Sequence, residues 1–374
     1  MAGSHTHLLD LDRNQLSQWL RERSLPAFRA DQILSWIYGR RITDFGCMTN
    51  LPTSLRQDLE KFFSLDLPEV VRITGSADTT RKFLFRLADG QLVETVLIPA
   101  SPALYGDKSD RLTLCVSSQV GCAYGCKFCA SGLEGWKRNL FPHEILGQVL
   151  AVEAASGERV SNMVFMGMGE PFANYDHLMR AISTINAPWG IGIGARHLTV
   201  STSGLVPRIR DFARQPLQVR LAISLHGATD EVRERIMPVN RKYPLAELFA
   251  ACEEFTQHKK QFLTFEYILI DKINDAPDQA VELARRAARL RAKVNLIPYN
   301  TVQGLPWERP SVPRQEEFLS ILRKQGIQAT LRREKGHDIS AACGQLRLVT
   351  ERSKADPHLL DGFSPPAARP HPPA

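Results

Sequence analysis

The sequence predicts an α/β protein that is built on a parallel β-sheet. From residue 111 onward, short apolar segments alternate with amphipathic helical stretches such as FPHEILGQVLAVEAAS and PDQAVELARRAARLR. Strand, helix and strand in repetition are typical of a parallel sheet with right-handed crossovers. About six or seven such units are too few for a closed eight-unit barrel, so the pattern leaves a partial barrel and a doubly wound sheet open.

The chain begins with a predicted helical module, residues 1–66. The segments RNQLSQWLRERS and RADQILSWIYGR repeat apolar residues at helical spacing, and Gly39 is typical of a helix end. PTSLRQDLEKFFSL has the same pattern. In residues 67–110, β-branched runs separated by Ala-Asp-Gly predict a hairpin or a small antiparallel sheet that leads into the core.

The predicted core domain covers residues 111–346, and a tail covers residues 347–374. The core contains these predicted strands: LTLCVSS, NMVFMGMG, HLTVSTSG, VRLAISLHG, FLTFEYILI, KVNLIPYN and IQATLRR. The tail is basic at first and then rich in proline, which cannot build a hydrophobic core. We therefore expect the tail to be disordered.

Composition excludes several classes of protein. Apolar residues make up 43% of the 374 residues, and no apolar run is long enough to span a membrane. The first residues have no features of a signal peptide, so we expect a cytoplasmic protein without a membrane partner. The seven cysteines are an odd number with three clustered, which suits a reducing compartment and cofactor chemistry better than a disulfide framework.

Positive charge is concentrated near the end of the core. The net charge is +7, and residues 323–354 contain eight basic and three acidic side chains. Such a stretch could contact the phosphates of a nucleic acid, but charge alone favours a solvated surface.

The segment GCAYGCKFCASG, residues 121–132, places Cys122, Cys126 and Cys129 in one glycine-flanked loop. A structural zinc site needs four protein ligands, and no other cysteine or histidine near the loop offers itself as the fourth. A 4Fe–4S cluster also takes four ligands, so three cysteines leave one iron free to bind another molecule. Because the glycines leave room for a bulky cluster, the spacing favours a 4Fe–4S cluster over zinc or a chance group of thiols.

Polar residues follow several of the predicted strands. Glu170 comes after the second strand, and Ser201 lies at the end of the third. Ser224 and His226 end the fourth strand, and Asn300 follows the sixth. Each residue alone could be an ordinary polar group at the start of a loop. Because the carboxyl ends of parallel strands meet at one edge of a sheet, together they predict one site.

The spacing of the three cysteines resembles the signature of the radical S-adenosylmethionine (SAM) superfamily. In that superfamily, the open iron of a 4Fe–4S cluster binds the methionine part of SAM, and an electron from the cluster cleaves SAM to a 5′-deoxyadenosyl radical. The resemblance implies a partial (β/α)6 barrel and three cluster ligands, Cys122, Cys126 and Cys129. It also implies these cofactor-binding residues: Gly169, Glu170, Ser201, Ser224, Leu225, His226 and Asn300.

Further segments resemble the RlmN/Cfr family of RNA adenosine methyltransferases over nearly the full chain. They are FRADQILSWIYG, LCVSSQVGC, MGMGEP, LTVSTSG, AISLH, LIPYN and AACGQL. The first of them implies that the helical module at residues 1–66 is an accessory domain that binds RNA.

The same resemblance implies that two cysteines and one carboxylate carry the chemistry. Cys343 takes a methyl group from one SAM, and the radical made from a second SAM removes hydrogen from that methyl group. The resulting carbon radical attacks an adenine ring carbon and forms a covalent enzyme–RNA adduct. Glu94 is implied as the proton acceptor, with an exposed strand carboxylate as the alternative reading. Cys115 then attacks the sulfur of Cys343, which releases the RNA and leaves a disulfide that must be reduced.

Three functions remain open on the sequence. The resemblance favours methylation of adenosine C2 in 23S ribosomal RNA, at the peptidyl transferase centre, and in transfer RNA, at the adenosine 3′ of the anticodon. A Cfr-type enzyme would instead methylate C8 of the ribosomal adenosine and confer antibiotic resistance. The third possibility is a non-catalytic RNA-binding protein whose thiols hold a structural metal. For the enzyme we expect a monomer and a reducing partner such as flavodoxin with flavodoxin reductase.

Overall fold

The computed structural model describes residues 6–76, 79–100, 111–133, 135–302, 304–332 and 339. The predicted helices of the amino-terminal module form, and its elements are β1 (Thr6–His7), α1 (Arg13–Arg21), α2 (Arg29–Leu34), α3 (Thr53–Phe62) and β2 (Phe63–Ser64). A π-helical turn, Ser35–Gly39, continues α2 to the predicted stop at Gly39. Strands β1 and β2 pair in parallel, which joins the two ends of the module.

Three antiparallel strands follow the module: β3 (Glu69–Gly75), β4 (Arg81–Arg86) and β5 (Leu92–Pro99). They occur where the sequence predicts a hairpin or a small antiparallel sheet. They are not a separate sheet, because β5 also pairs with β6 (Leu112–Cys115), the first strand of the core. The antiparallel strands therefore extend the main sheet.

A short hairpin comes after β6. Strand β7 (Gln119–Gly121) pairs antiparallel with β8 (Trp136–Asn139), and helix α4 (Ala130–Leu133) lies between them in the sequence. The sequence does not predict this hairpin, because strands of three and four residues are too short to show an alternating pattern. The hairpin encloses the cysteine-rich loop.

The core sheet continues through further parallel strands: β9 (Asn162–Phe165), β10 (Leu198–Thr202), β11 (Arg220–Ser224), β12 (Thr264–Leu269), β13 (Lys293–Pro298) and β14 (Ala329–Leu331). The strand order is β3, β4, β5, β6, β9, β10, β11, β12, β13, β14. Apart from the hairpin of β7 and β8, each strand from β6 onward pairs in parallel with the next strand along the chain. A doubly wound sheet would reverse this order, so the core is a partial barrel.

Helices connect the parallel strands: α5 (Pro142–Ser156), α6 (Tyr175–Asn186), α7 (Val206–Arg214), α8 (Asp230–Ile236), α9 (Leu245–Lys259), α10 (Pro277–Leu290) and α11 (Val312–Lys324). In α10, Ala280, Leu283 and Ala287 recur at helical spacing and are fully buried. In the described ranges no helix is both long enough and apolar enough to cross a membrane.

Strand register determines which side chains face the interior of the barrel. Ser224 on β11 pairs with Glu266 on β12, and Glu266 pairs with Asn295 on β13. Directly paired side chains point to the same face of a sheet, and so do residues two apart on one strand. Ser201, which pairs with Ala222, therefore shares this inner face with Ser224.

The same register places two residues of the antiparallel side on the inner face. Cys115 on β6 pairs with Val164 on β9, and Val164 pairs with Thr199, two residues before Ser201. Cys115 also pairs with Val96 on β5, and Glu94 lies two residues before Val96. Cys115 and Glu94 therefore share the face of the strand-end residues.

Candidate active site

A cavity of about 300 Å³ opens at the carboxyl ends of the parallel strands. Predicted site residues from five segments of the chain line it: Cys122, Cys126, Cys129, Gly169, Glu170, Ser201, Ser224, His226 and Asn300. Leu225 does not line the cavity, because its side chain is buried in the hydrophobic core. Cys343 lies outside the described residues.

The cysteine loop is held at its start and at its middle. The backbone N–H of Cys122 donates to the carbonyl oxygen of Gly135 at 3.1 Å, and that of Lys127 donates to Ile236 at the end of α8 at 2.9 Å. Gly121 has a φ of +73°, and a Cβ atom there would clash with the carbonyl oxygen of Gly135. The path of the chain into the loop therefore requires glycine at position 121.

The three thiols lie close enough together to influence one another. Burial raises the pKa of Cys122 to about 12, and the charge of Glu170 acts in the same direction. A backbone hydrogen bond from Tyr124 acts against this rise. Burial and then the neighbouring thiols Cys129 and Cys122 raise the pKa of Cys126 well above its usual value. Without a counter-charge the site therefore favours neutral thiols. A bound metal centre supplies positive charge and deprotonates coordinating thiols outright.

The arrangement of these groups fits an iron–sulfur cluster. Within the described ranges, no three or more His, Cys, Asp or Glu side chains are grouped so that they could hold a single metal ion. A cubane cluster does not need such a group, because each thiolate binds a different iron. Among the residues that the structure describes, the buried hydroxyl of Ser131 beside the loop finds no hydrogen-bond partner. Buried polar groups are usually satisfied, so an orphaned one is expected beside a group that is bound there.

Glu170 is held as a hydrogen-bond acceptor beside the loop. Its Oε1 accepts from the backbone N–H of Phe172 at 3.0 Å, and its Oε2 accepts from the N–H of Ser203 at 2.6 Å. Burial raises the pKa of Glu170, and these hydrogen bonds act in the opposite direction. A buried carboxylate in such a setting is suited to pair with an ammonium group.

His226 is fixed as a neutral donor. Its Nδ1 accepts from the backbone N–H of Ile268 at 3.0 Å, so the ring proton is on Nε2. Burial and then the positive charge of Arg233 lower the pKa of His226 to about 3. The ring lies edge-on to Phe128, with 4.9 Å between the ring centroids. The Nε2–H group is therefore available to donate to a ligand.

Other polar groups of the cavity are also oriented by neighbours. The hydroxyl oxygens of Ser201 and Ser224 lie 3.2 Å apart on adjacent strands. Nη2 of Arg309 donates to Oδ1 of Asn300 at 2.7 Å, and its Nε donates to the carbonyl oxygen of Tyr299 at 2.8 Å. Because Oδ1 of Asn300 is engaged, the amide N–H donors of this side chain can serve a ligand.

Cys115 and Glu94 do not line the cavity, although they share its inner face. Burial raises the pKa of Cys115 to about 11, while the positive charge of Arg332, which does line the cavity, lowers it. The charge of Glu94 acts on the same thiol and raises its pKa. Glu94 is 4% exposed, so the reading of it as an exposed strand carboxylate is wrong.

The structure adds Arg233, which the sequence pattern does not identify. Arg233 is fully buried and donates to the carbonyl oxygens of Leu225 at 3.1 Å and Ser203 at 2.5 Å. A third bond runs to Oδ1 of Asn240 at 2.8 Å. Burial lowers the pKa of Arg233 to about 10. Arg233 lies three residues before the apolar Ile236. This helical spacing is the sequence signal that could have placed Arg233 on the buried side of α8.

Glu266 and Arg332 also line the cavity without having been predicted. Nδ2 of Asn295 donates to Oε2 of Glu266 at 2.7 Å. Burial raises the pKa of Glu266, and the charge of Arg332 acts against that rise. Alternation along β12 could have identified Glu266, because it shares a face with Thr264 and Ile268.

Comparison with known proteins agrees with this geometry. The family model of the radical SAM superfamily matches residues 116–284, and that of the ribosomal RNA large subunit methyltransferase N-terminal domain matches residues 6–65. Membership of the radical SAM superfamily implies a 4Fe–4S cluster and SAM.

Curated relatives match almost the whole chain. The "Probable dual-specificity RNA methyltransferase RlmN" of Akkermansia muciniphila is 56% identical over 341 residues, which cover 91% of this chain and 95% of that protein. The "Probable dual-specificity RNA methyltransferase RlmN 3" of Opitutus terrae is 54% identical over 349 residues, with 91% and 93% covered. The crystal structure of a radical SAM methyltransferase from Sphaerobacter thermophilus superposes with a TM-score of 0.85 at 46% identity, covering 91% of this chain and 98% of that one. The chain belongs to the RlmN family of radical SAM RNA methyltransferases.

Proposed function

We propose that this chain methylates C2 of adenosine in 23S ribosomal RNA, at the peptidyl transferase centre, and in transfer RNA, at the adenosine 3′ of the anticodon. The observation that carries the proposal is a single cavity in which three cysteine thiols meet the carboxylate of Glu170, with Cys115 and Glu94 on the same inner face. A radical route suits this substrate, because the electron-poor C2 of adenine does not react with a sulfonium methyl group by polar attack. The names of the relatives support RNA as the substrate class.

Some residues of the cavity would hold the cluster, and others would bind SAM. Cys122, Cys126 and Cys129 would hold the cluster, which when bound supplies the electron that cleaves SAM to a 5′-deoxyadenosyl radical. Glu170 pairs with the ammonium group of the methionine part. The residue before it, Gly169, has a φ of +102°, which lets the backbone turn beside this carboxylate.

The strand-end residues bind the rest of the cofactor. The hydroxyls of Ser201 and Ser224 and the Nε2–H of His226 offer hydrogen bonds to its ribose and carboxylate. Leu225, whose side chain is buried, holds its two neighbours in place through the backbone bonds it makes to Glu266 and Arg233. Asn300 reaches both the cofactor and the substrate.

The methyl group travels through a cysteine. One SAM methylates Cys343, and a second SAM is used for the radical step, so each turnover uses two. The methylene carbon of Cys343 bonds to the adenine ring, and the unpaired electron that this leaves on the ring would return to the cluster, while Glu94 accepts the proton that the ring carbon loses. Cys115 attacks the sulfur of Cys343, the carbon–sulfur bond breaks, the released carbon takes up a proton to become the methyl group, and a disulfide between the two cysteines remains.

The cycle requires a partner that supplies electrons to the cluster and reduces the disulfide. Flavodoxin with flavodoxin reductase fits this requirement, and the reducing cytoplasm is the compartment in which a low-potential donor and free thiols coexist. We expect the enzyme to act as a monomer on its RNA.

Nucleoside analysis of total RNA tests the proposal. Cells that lack this chain are expected to lose 2-methyladenosine from both ribosomal and transfer RNA. The wild-type chain restores the nucleoside, whereas Cys343→Ala, which can still cleave SAM, does not. Restoration of 8-methyladenosine instead would show that the chain acts as a Cfr-type C8 methyltransferase and would contradict the proposal.

A further inference from the structure

Gln119 is a buried polar residue to which the proposed reaction gives no role. It is the first residue of β7, three positions before Cys122, and it is 1% exposed. Buried polar side chains of native proteins are hydrogen-bonded, so the partners of this amide show what it holds together. Gln119 does not line the cavity, so any effect that it has on a ligand must pass through a neighbouring residue.

The side-chain amide of Gln119 joins two segments of the site. Its Oε1 accepts from the backbone N–H of Glu170 at 2.8 Å, and its Nε2 donates to Oδ1 of Asn139 at 2.7 Å. Glu170 is the carboxylate that pairs with the ammonium group of SAM in the proposed function. Asn139 lies on β8, in the hairpin that encloses the cysteine loop. Gln119 therefore connects the SAM-binding carboxylate to the hairpin that positions the cluster ligands.

The segment before Glu170 packs directly on Gln119. The backbone N–H groups of Ser118 and Gln119 both donate to the carbonyl oxygen of Met168, at 2.9 Å and 3.2 Å. Gly169 has a φ of +102°, and a Cβ atom there would lie only 2.6 Å from Cβ of Gln119. No side chain fits between the two segments, so direct contact determines their separation.

This separation matters because SAM would be held at two points. Its methionine part meets the open iron of the cluster, and its ammonium group pairs with Glu170. A ligand that is held at two points binds tightly when both points already stand at the right distance, because binding then requires no rearrangement of the protein. The distance between Glu170 and the cysteine loop is therefore a determinant of SAM affinity.

We propose that Gln119 is the positioning residue that fixes Glu170 relative to the cysteine loop and thereby sets the affinity for SAM. It acts through Glu170. A neutral amide suits this role, because it accepts from one segment and donates to the other without adding charge beside the carboxylate. The inference rests on the proposed function in that the cavity binds SAM beside a cluster.

The test uses the full-length protein, reconstituted with iron and sulfide under anaerobic conditions, as wild type and as Gln119→Met. Equilibrium binding measures the Kd for SAM, and EPR of the reduced cluster records the spectral change that SAM causes. Groups that orient a ligating side chain contribute roughly 10- to 100-fold to affinity, so we expect the Kd for SAM to rise at least about tenfold. Iron and sulfide per protein should equal those of wild type, because all three cysteines are retained.

Hydrogen exchange of the apoprotein gives a readout that needs no cluster. In Gln119→Met the backbone N–H of Glu170 loses its acceptor, so this amide is expected to exchange faster than in wild type. Asn139→Ala is a second variant in case Gln119→Met does not fold. It leaves Gln119 in place and removes the acceptor of its Nε2, so it should raise the Kd for SAM by a smaller factor.

Gln315→Met is the matched control. Gln315 lies on α11, is 6% exposed and does not line the cavity. Its Nε2 donates to the carbonyl oxygen of Pro310 at 2.7 Å. The same substitution therefore removes a buried hydrogen bond elsewhere in the molecule. It is expected to lower the melting temperature of the apoprotein and to leave the Kd for SAM unchanged.

Three results would overturn the inference. An unchanged Kd for SAM in both Gln119→Met and Asn139→Ala would show that Glu170 needs no such support. Reduced uptake of iron and sulfide, with an unchanged Kd for the loaded protein, would assign Gln119 to the cysteine loop alone. An equal rise of the Kd in Gln315→Met would show that the effect comes from lost stability.

The proposed function can be tested separately on the same samples. If wild type binds SAM and methylates RNA while any of these three results holds, the proposed function stands and this inference alone fails. If wild type that is loaded with iron and sulfide does not bind SAM, both fail together.

Discussion

In the proposed reaction Cys115 has to act as a thiolate, yet it lies where the neutral thiol is favoured. Burial raises its pKa to about 11, and Arg332 at the cavity wall is the positive group that opposes this rise. The thiolate is the nucleophile in thiol exchange, so only a small fraction of Cys115 is reactive at neutral pH.

Replacing Cys115 by alanine is expected to trap the covalent adduct between protein and RNA, because nothing then attacks the sulfur of Cys343. The adduct can be measured on a denaturing gel as RNA that migrates with the protein. Cys47→Ala, which removes an exposed thiol outside the cavity, should accumulate none. A Cys115→Ala protein that turns over normally and stays free of RNA would contradict the assigned role.

The release of RNA from the adduct is expected to become faster with increasing pH. Below a pKa of about 11 the thiolate fraction rises about tenfold per pH unit, so the single-turnover release rate should rise between pH 7 and pH 9. Arg332→Met removes the charge that lowers this pKa and should slow release at every pH in that range. Arg332→Lys keeps a positive charge and should restore much of the rate. Equal rates in all three proteins would count against this electrostatic role.

Residues of the cavity differ in how well the sequence predicts them. Glu170 and Asn300 could be identified because each follows a strand of a regular α/β pattern, where chain order alone determines the edge of the sheet. Arg233 could not, since its importance comes from burial and from contacts between segments far apart in the chain. Glu94 was identified through a resemblance, and its burial on the inner face became visible only through the register of β5 with β6.

At the scale of elements, the hairpin of β7 and β8 is the part that positions the cysteine loop. The loop leaves β7 at Gly121 and returns to β8 after Gly135, and the two ends are tied by the bond from Cys122 to Gly135. The cysteine spacing predicts the ligands of a cluster, but it contains no information about this hairpin. Strands of three and four residues are defined by their pairing rather than by their composition.

Gly121→Ala is expected to reduce cluster uptake strongly. Alanine at a positive φ is strained by about 1–2 kcal/mol, and here its Cβ would also clash with the carbonyl oxygen of Gly135. Gly125→Ala is the matched control, because Gly125 has a φ of +55° but open space around the new Cβ. Iron and sulfide per protein after reconstitution are the measurement. Equal uptake by both variants would show that the hairpin does not determine the loop.

At the scale of the whole molecule, the amino-terminal module is attached to the core through polar contacts with α5. His143 Nδ1 bonds to Oδ2 of Asp10 at 2.8 Å, and its ring stacks on His7 with 4.2 Å between centroids. Arg41 forms an ion pair with Glu153 of α5, and both side chains are largely buried. These contacts hold the module, which is expected to bind RNA, in a fixed orientation to the core.

Arg41→Met is expected to lower the free energy of unfolding by about 3 kcal/mol, because it leaves the buried carboxylate of Glu153 without its buried partner. Urea denaturation of the apoprotein measures this loss. Arg13→Met, which breaks the half-exposed pair of Arg13 with Asp31, should change the same quantity by less than about 1 kcal/mol. Similar values for the two variants would contradict the importance of this contact.

The alternation of strands and helices predicts the winding of the core, because sequential parallel strands with short crossovers have few possible arrangements. The choice between a partial barrel and a doubly wound sheet depends on strand order, which alternation alone does not contain. The sequence also does not predict the contacts of Asp10 and Arg41 with α5, since they join segments more than 100 residues apart. The domain boundaries at residues 66, 110 and 346 stay predictions.

The central claim is that three cysteines leave one iron of a cluster open, so that SAM binds there and is cleaved. The most direct measurement uses anaerobically reconstituted, reduced protein with SAM and a transfer RNA or ribosomal RNA fragment, and quantifies 5′-deoxyadenosine and 2-methyladenosine. Wild type is expected to form both products, and Cys126→Ala neither. A wild-type protein that is loaded with iron and sulfide, yet forms no 5′-deoxyadenosine in the presence of SAM and RNA, would contradict the account.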